Sequence, residues 1–169
     1  TRWKTTVRGV RRYRPALAGD RVAATGETAL VLLERGDGRP VASVPFAGPG
    51  PVTLLHGPGG RRLAVAGSEH GQLLVADAAD GTVVWTVTHP GEIPVAARGD
   101  GTTIVAGWHD DAGATLRAFD LATGALRWER PLGPVAGSPL VAGSTVVVVH
   151  GEGIHSAAAR GIDLATGAE

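Results

Sequence analysis

Imidazole and carboxylate side chains gather in four short polar segments of the chain. These are TGET with Glu27, GSEHG with Glu69 and His70, GWHDDAG with Trp108, His109, Asp110 and Asp111, and HGEGIHS with His150, Glu152 and His155. Imidazole nitrogens and carboxylate oxygens are ligands that transition metals take from proteins, and the same groups bind polar small molecules. His109, Asp110, Asp111, His70 and His155 are therefore the candidate metal ligands. Trp108 with His109 and Asp110 forms the candidate contact rim for a partner, since large rings beside polar groups dominate binding hot spots. Solvated loops carry the same residue types, so this chemistry requires elements that bring the four segments together. His56 and His89 fall near predicted strand ends and are expected to be structural or solvent-facing.

Other chemistries find little support. The chain has no cysteine, so a disulfide, a thiolate metal site and a cysteine nucleophile are all excluded within it. The serines, Ser43, Ser68, Ser138, Ser144 and Ser156, lack the strand–turn–helix context of a nucleophile elbow. GPGPV and HGPGGRR are glycine-rich but open no helix, so a phosphate cradle is not expected. RGD occurs at Arg35–Asp37 and again at Arg98–Asp100, both at predicted turns. Arg8, Arg11, Arg12 and Arg14 surround Tyr13 and form one local basic patch, either a solvated loop or a docking surface for an acidic partner. A formal net charge of zero argues against a broad nucleic-acid footprint. No apolar run reaches the eighteen or so residues of a helical membrane span.

The elements that would position these segments come from a repeat. Gly38, Gly81, Gly124 and Gly167 follow one another at intervals of 43 residues. Four residues before each stands an acid: Glu34, Asp77, Asp120 and Asp163. Four residues after Gly81 and Gly124 stand Trp85 and Trp128, whereas the first unit has Ala42 in that place. Within a period, apolar and β-branched runs alternate with Gly-rich punctuation. RRLAVAG, TTIVAGW and STVVVVH read as second strands, GQLLVADAADG and ATLRAFDLATG as third strands, and TVVWTVTH and ALRWERPL as fourth strands. IPVAARGDG reads as a first strand with its turn. The DG and TG dipeptides supply hairpin turns, because glycine takes a positive φ without steric cost. No segment keeps a 3.6-residue apolar period over helical length, so the chain is expected to be all-β.

Four antiparallel strands in a period of about 40 to 50 residues is the signature of a β-propeller blade. One such sheet leaves a face uncovered, so the blades must stack. The expected blades are 13–48, 49–91, 92–133 and 134–169, the last incomplete, with 1–12 as the outer strand of a preceding blade.

AFDLATGALRW resembles the tryptophan-docking motif of the pyrroloquinoline-quinone (PQQ)-type propeller repeat, A-x-D-x-x-T-G-x-x-x-W. The match is complete at Ala118, Asp120, Thr123, Gly124 and Trp128. It is partial at Val75, Asp77, Asp80, Gly81 and Trp85, where valine replaces alanine and aspartate replaces threonine, truncated at Gly161, Asp163, Thr166 and Gly167, and degenerate at Glu34 and Gly38. The resemblance implies that each tryptophan docks between neighbouring blades while the acid braces the turn. Trp3 is then the docking residue of the preceding blade, near the common register but one place out of it.

The resemblance also bears on function. Quinoprotein dehydrogenases of this family hold PQQ and calcium with acids, an asparagine and commonly a vicinal disulfide. Asparagine and cysteine are both missing here, so no residue carries over to that site and no cofactor is expected. Similar propellers have seven or eight blades, which implies a fragment or a half-propeller completed by further blades of the same or another chain. The start at Thr1 and the end in mid-motif at Glu169 suggest a piece cut from something longer. The expected role is non-catalytic, a binding or scaffold module for a protein or small polar ligand in a larger bacterial envelope or sensor protein. The resemblance places such proteins outside the cytoplasm. The alternative is a fragment of a diverged PQQ-dependent dehydrogenase.

Overall fold

In the computed structural model, the residues described are 3–8, 13–90, 93–94, 98–111, 113–133, 137–151 and 158–169. They form an all-β segment of a propeller built from four antiparallel sheets, and the series is not closed. The first sheet runs β1 (Ala16–Ala18), β2 (Arg21–Thr25), β3 (Ala29–Glu34) and β4 (Pro40–Pro45) in spatial order. The second repeats this order with β5 (Val52–His56), β6 (Arg62–Gly67), β7 (Gln72–Asp77) and β8 (Val83–Thr88). In the third, β9 (Ile93–Pro94) and β10 (Arg98–Gly99) both pair with β11 (Thr103–Asp110), followed by β12 (Gly113–Asp120) and β13 (Leu126–Gly133). The fourth contains β14 (Leu140–Ala142), β15 (Thr145–His150) and β16 (Ala158–Asp163).

Sequential hairpins make each sheet a meander, and the first strands of the sheets approach one another: β1 meets β5, β5 meets β10, and β10 meets β14. The sheets therefore fan outward from this inner row toward β4, β8 and β13. Between them lie three apolar layers. Ala23, Leu30, Leu32 and Val44 of the first sheet meet Ala64, Ala66, Leu74 and Ala76 of the second. Leu63, Val65, Leu73 and Val75 face Ile104, Ala106, Trp108 and Phe119 of the third. Val105, Leu116 and Ala118 face Val146, Val148 and Ile162 of the fourth.

The strand period of two explains how one sequence serves two layers. On β11, Ile104, Ala106 and Trp108 enter the second layer, while Val105 between them enters the third. A strand buried on both faces reads as a continuous apolar run, which is why TTIVAGW and RRLAVAG show no polar alternation. Small alanines on facing strands let the sheets approach, and leucine, valine and isoleucine fill the space between them.

Candidate functional site

The alternation of strand direction gives the stack two different ends. One carries the β1–β2 and β3–β4 turns and their counterparts in the other sheets. The other carries the β2–β3 loops and their counterparts, with Glu27, Glu69, His70 and Asp111 in the loops and His109 and Asp110 at the end of β11.

At the turn end the repeated motif makes a repeated set of bonds. The amides of Gly38, Gly81, Gly124 and Gly167 each donate to the carbonyl of the acid four residues back, at 2.8 to 2.9 Å. All four glycines hold φ between 72° and 81°, where a side chain is strained. The Asp120 Oδ1 accepts from the amides of Ala122 and Thr123 and from the Thr123 hydroxyl. Asp163 repeats this with Ala165 and Thr166. Asp77, with Ala78 in place of leucine and Asp80 in place of threonine, keeps the bond from the Ala79 amide. Arg127 beside Asp120, with help from Thr123, holds that carboxyl down at about 2. Bonds from the Thr166 side chain and backbone also hold Asp163 below the ordinary carboxylate range.

The indoles span the seams between sheets. Trp85 of β8 donates through Nε1 to the Leu121 carbonyl of the third sheet at 2.9 Å, and Trp128 of β13 does the same to Leu164 of the fourth. Trp3 donates to the Arg35 carbonyl of the first sheet at 2.8 Å. A Cβ built on Gly38, Gly124 or Gly167 would fall within 2.8 Å of the Trp3, Trp85 or Trp128 ring respectively, so each ring lies on a bare glycine. Ala118, the small residue of the motif, is buried opposite Trp128 in the β12–β13 ladder.

At the loop end the structure separates the candidate residues. His70, His109, Asp110 and Asp111 are exposed, whereas Trp108 is fully buried. The Trp108 Nε1 donates to the Gly71 carbonyl, and its ring packs edge-on against His89 and Phe119 with the Arg117 guanidinium 5.2 Å from its centroid. Trp108 thus belongs to the layer between the second and third sheets. The expected contact rim of Trp108, His109 and Asp110 is reduced to its two polar members at the surface. Among the described residues, no group of three or more His, Asp or Glu side chains is arranged to hold a metal ion. His155 and Glu152 lie outside the described residues, as do Arg11 and Arg12 of the basic patch. The patch's Tyr13 hydroxyl donates to Glu69 at 3.4 Å, which ties Tyr13 to the loop end. His56 is exposed at the end of β5, and His89 has the Trp108 ring as its neighbour.

A shallow cavity of about 430 Å³ opens at this end between the first two sheets, lined by Glu27, Thr28, Pro45, Phe46, Ala47 and Gln72. Phe46 is buried and gives the cavity an apolar floor, while Glu27 and Thr28 are exposed. Sequence reasoning found Glu27 but not Phe46 or Gln72, which follow β4 and open β7 and meet only when the sheets stack. It also missed Arg117, buried and bonded to Glu129 at 2.6 Å. The signal for Arg117 was a lone charge inside the apolar run ATLRAF.

The acids, asparagine and vicinal cysteines that hold PQQ and calcium in the enzymes of this repeat class find no matching set in this chain. Asparagine and cysteine do not occur in it, and no acid cluster of that kind stands among its described residues.

Comparison with known proteins completes the description. The sequence model of the family described as outer membrane protein assembly factor BamB matches residues 1–132 and 69–169. No curated protein sequence matches significantly. The crystal structure of BamB from Moraxella catarrhalis superposes with a TM-score of 0.73 at 22% identity, covering 98% of this chain and 50% of that one. A quinohemoprotein alcohol dehydrogenase, ADHIIG from Pseudomonas putida HK5, gives 0.73 at 16% identity, over 98% of this chain and 34% of that one. The computationally designed Ika4 protein gives 0.71 at 14% identity, covering 93% of this chain and 96% of the design. At these identities the likeness is one of fold. The chain spans half the length of the BamB structure and about a third of the dehydrogenase.

Proposed function

The chain belongs to the family of the outer membrane protein assembly factor BamB, and from that premise we propose that it is a non-catalytic recognition module. It binds a protein or small polar ligand through the loop end of a stiff sheet stack, within a larger bacterial envelope or sensor protein. The observation that carries this reading is the loop end itself. A shallow cavity with an apolar floor at Phe46 and polar walls at Glu27, Thr28 and Gln72 stands there, with His70, His109, Asp110 and Asp111 exposed on the neighbouring loops and the end of β11. Apolar area ringed by polar groups is what a protein contact needs, and loops on a rigid scaffold are where such contacts are built. The family's descriptive name, an assembly factor, is that of a protein acting on other proteins.

The test is site-specific photo-crosslinking in the natural host, with the probe placed in turn at Glu27, Gln72 and His109 and, as a control, at Val83 on the outer edge. Discrete adducts from the loop-end positions, weakened by the double substitution His109→Ala and Asp110→Ala, support the reading. Adducts from Val83 alone overturn it.

A second reading rests on the superposition with the alcohol dehydrogenase, in which the chain is a fragment of a diverged PQQ-dependent enzyme whose cofactor residues lie in other blades. Supplying the parent protein with PQQ and calcium and measuring dye-linked alcohol oxidation separates the two. Turnover there replaces the recognition module with an enzyme.

A further inference from the structure

Three carbonyls on the turn end receive an indole N–H, and each belongs to the residue after the turn acid: Arg35 after Glu34, Leu121 after Asp120, Leu164 after Asp163. The corresponding carbonyl of the second sheet is Ala78, after Asp77. The residue that should reach it, by the spacing of Trp85 and Trp128, is Ala42. Its methyl cannot donate, and it sits directly on Gly81, where the other seams place a ring.

The Ala78 carbonyl nevertheless has a donor from across the seam. Arg21, the first residue of β2, reaches over and donates through Nε at 3.0 Å. Its Nη1 is held at 2.9 Å by both Asp20 and Glu34, and only 15% of its side chain is exposed. A second guanidinium crosses the same seam in the opposite direction, from Arg62 on β6 to the Asp20 carboxylate and the Ala18 carbonyl. A cavity of about 240 Å³ remains there, lined by Arg21, Gly60, Arg61, Arg62, Asp77, Ala78 and Ala79.

The position of Arg21 is informative. It pairs in register with the turn acid Glu34, and the residues pairing with the corresponding acids in the next two sheets are Leu63 and Thr103. Those two sheets carry Trp85 and Trp128. Arginine occupies this ladder position in the sheet that lacks the tryptophan.

We infer that the seam between the first and second sheets is an electrostatic latch, in which Arg21 replaces the missing indole, and that it loosens with ionic strength more than the indole seams do. An indole on glycine works by apolar contact and one neutral bond, which sodium chloride screens little. Guanidinium–carboxylate pairs near the surface weaken over the same range of salt, because the screening length falls from about 10 Å at 0.1 M to about 3 Å at 1 M. The apolar layer of Ala23, Leu30, Leu32 and their partners keeps the sheets associated. The latch governs how tightly their turn ends are held together.

Peptide-resolved hydrogen exchange of the chain, from about 0.05 M to about 1 M sodium chloride, tests this. Salt is expected to speed exchange in β2, β3 and β6 by about three- to ten-fold and to act less on β12, β13 and β16, where the Arg117–Glu129 and Arg127–Asp120 pairs lie within one sheet and Arg130 reaches across the seam only to the neutral Gly167 carbonyl. Arg21→Ala should speed exchange at low salt and leave a smaller salt response, because the Arg62–Asp20 pair still spans the seam. Adding Ala42→Trp to it should restore slow exchange that salt affects less than in the wild type. Arg21→Lys keeps the charge without the Nε donor, and should fall between wild type and Arg21→Ala. It also decides the matter if the alanine variant does not fold. An equal salt effect on all four sheets, or an Arg21→Lys chain that exchanges like wild type, overturns the proposal.

Discussion

Among single residues, Trp128 is the most consequential at the turn end. It lies on Gly167, donates to Leu164 and belongs to the layer that joins the third and fourth sheets. If it fastens that seam, Trp128→Ala should lower unfolding free energy by about 3–5 kcal/mol in denaturant titrations. Trp128→Phe keeps a six-membered ring but loses the five-membered ring and its N–H, so its cost should lie below that of alanine, at about 2–3 kcal/mol. Gly124 is constrained from both sides: its φ is +74°, and a Cβ there would come within 2.8 Å of the Trp85 ring. Gly124→Ala should therefore cost about 2 kcal/mol or more, a large effect for one methyl group, read in the same titrations. Asp120 adds a pH dependence. Its carboxyl titrates at about 2 instead of 3.8, held down first by Arg127 and then by Thr123. The folded state thus binds its proton less readily than the unfolded chain. Its stabilising contribution is complete above about pH 4 and is lost as pH falls toward 2. Asp120→Asn should flatten stability over that window, and stability measured between pH 5 and 2 checks it.

Among elements, the strands were the most legible part of the sequence, and the reasons are particular. Val65 and Val75 sit in uninterrupted apolar runs because the second sheet is covered on both faces, and Gly81 and Gly124 mark turns that only glycine makes easily. The loop end was harder to read. Trp108 looks like a contact residue beside His109 and Asp110, yet the period of two along Ile104, Ala106 and Trp108 already placed it on the core face. The stretch read as a first strand from Ile93 lies on β11 at both of its described ends, β9 and β10. The Arg21 bond to Ala78 was hidden, because it links residues 57 apart whose meeting depends on the stacking of two sheets. Layer structure also ranks the strands by local stability. β6, β7, β11 and β12 have apolar neighbours on both faces, whereas β14 and β16 leave most of their residues exposed or half-exposed. The amides of β6, β7, β11 and β12 should accordingly be the last to exchange, approaching the global unfolding rate, with β14 and β16 exchanging earlier. Uniform protection across all four sheets would contradict that order.

For the whole molecule, the fourth sheet poses the question of what covers it. Val146 and Val148 enter the layer shared with the third sheet, so the alternation turns Val147 and Val149 to the opposite face. Val149 is 48% exposed there, and Leu140 on the inner strand is 58% exposed. At the other end of the series, Trp3 rests on Gly38 as Trp85 rests on Gly124, in the manner of a residue from a preceding sheet. A stack with one face dressed to receive a neighbour and a docking residue at its other end is arranged to continue around an axis. Further sheets, from the same chain or another, would bury Val149 as Val105 is buried against the fourth sheet. Val149→Asp discriminates. In the 169-residue chain by itself it replaces one exposed side chain by another and should change stability by less than about 0.5 kcal/mol. In the parent protein, or in any assembly that places a sheet on this face, it would bury an unpaired carboxylate and should cost several kcal/mol or abolish assembly. Light scattering and thermal melts of both forms report the difference. An equal, small effect in each would mean that the face stays open to water.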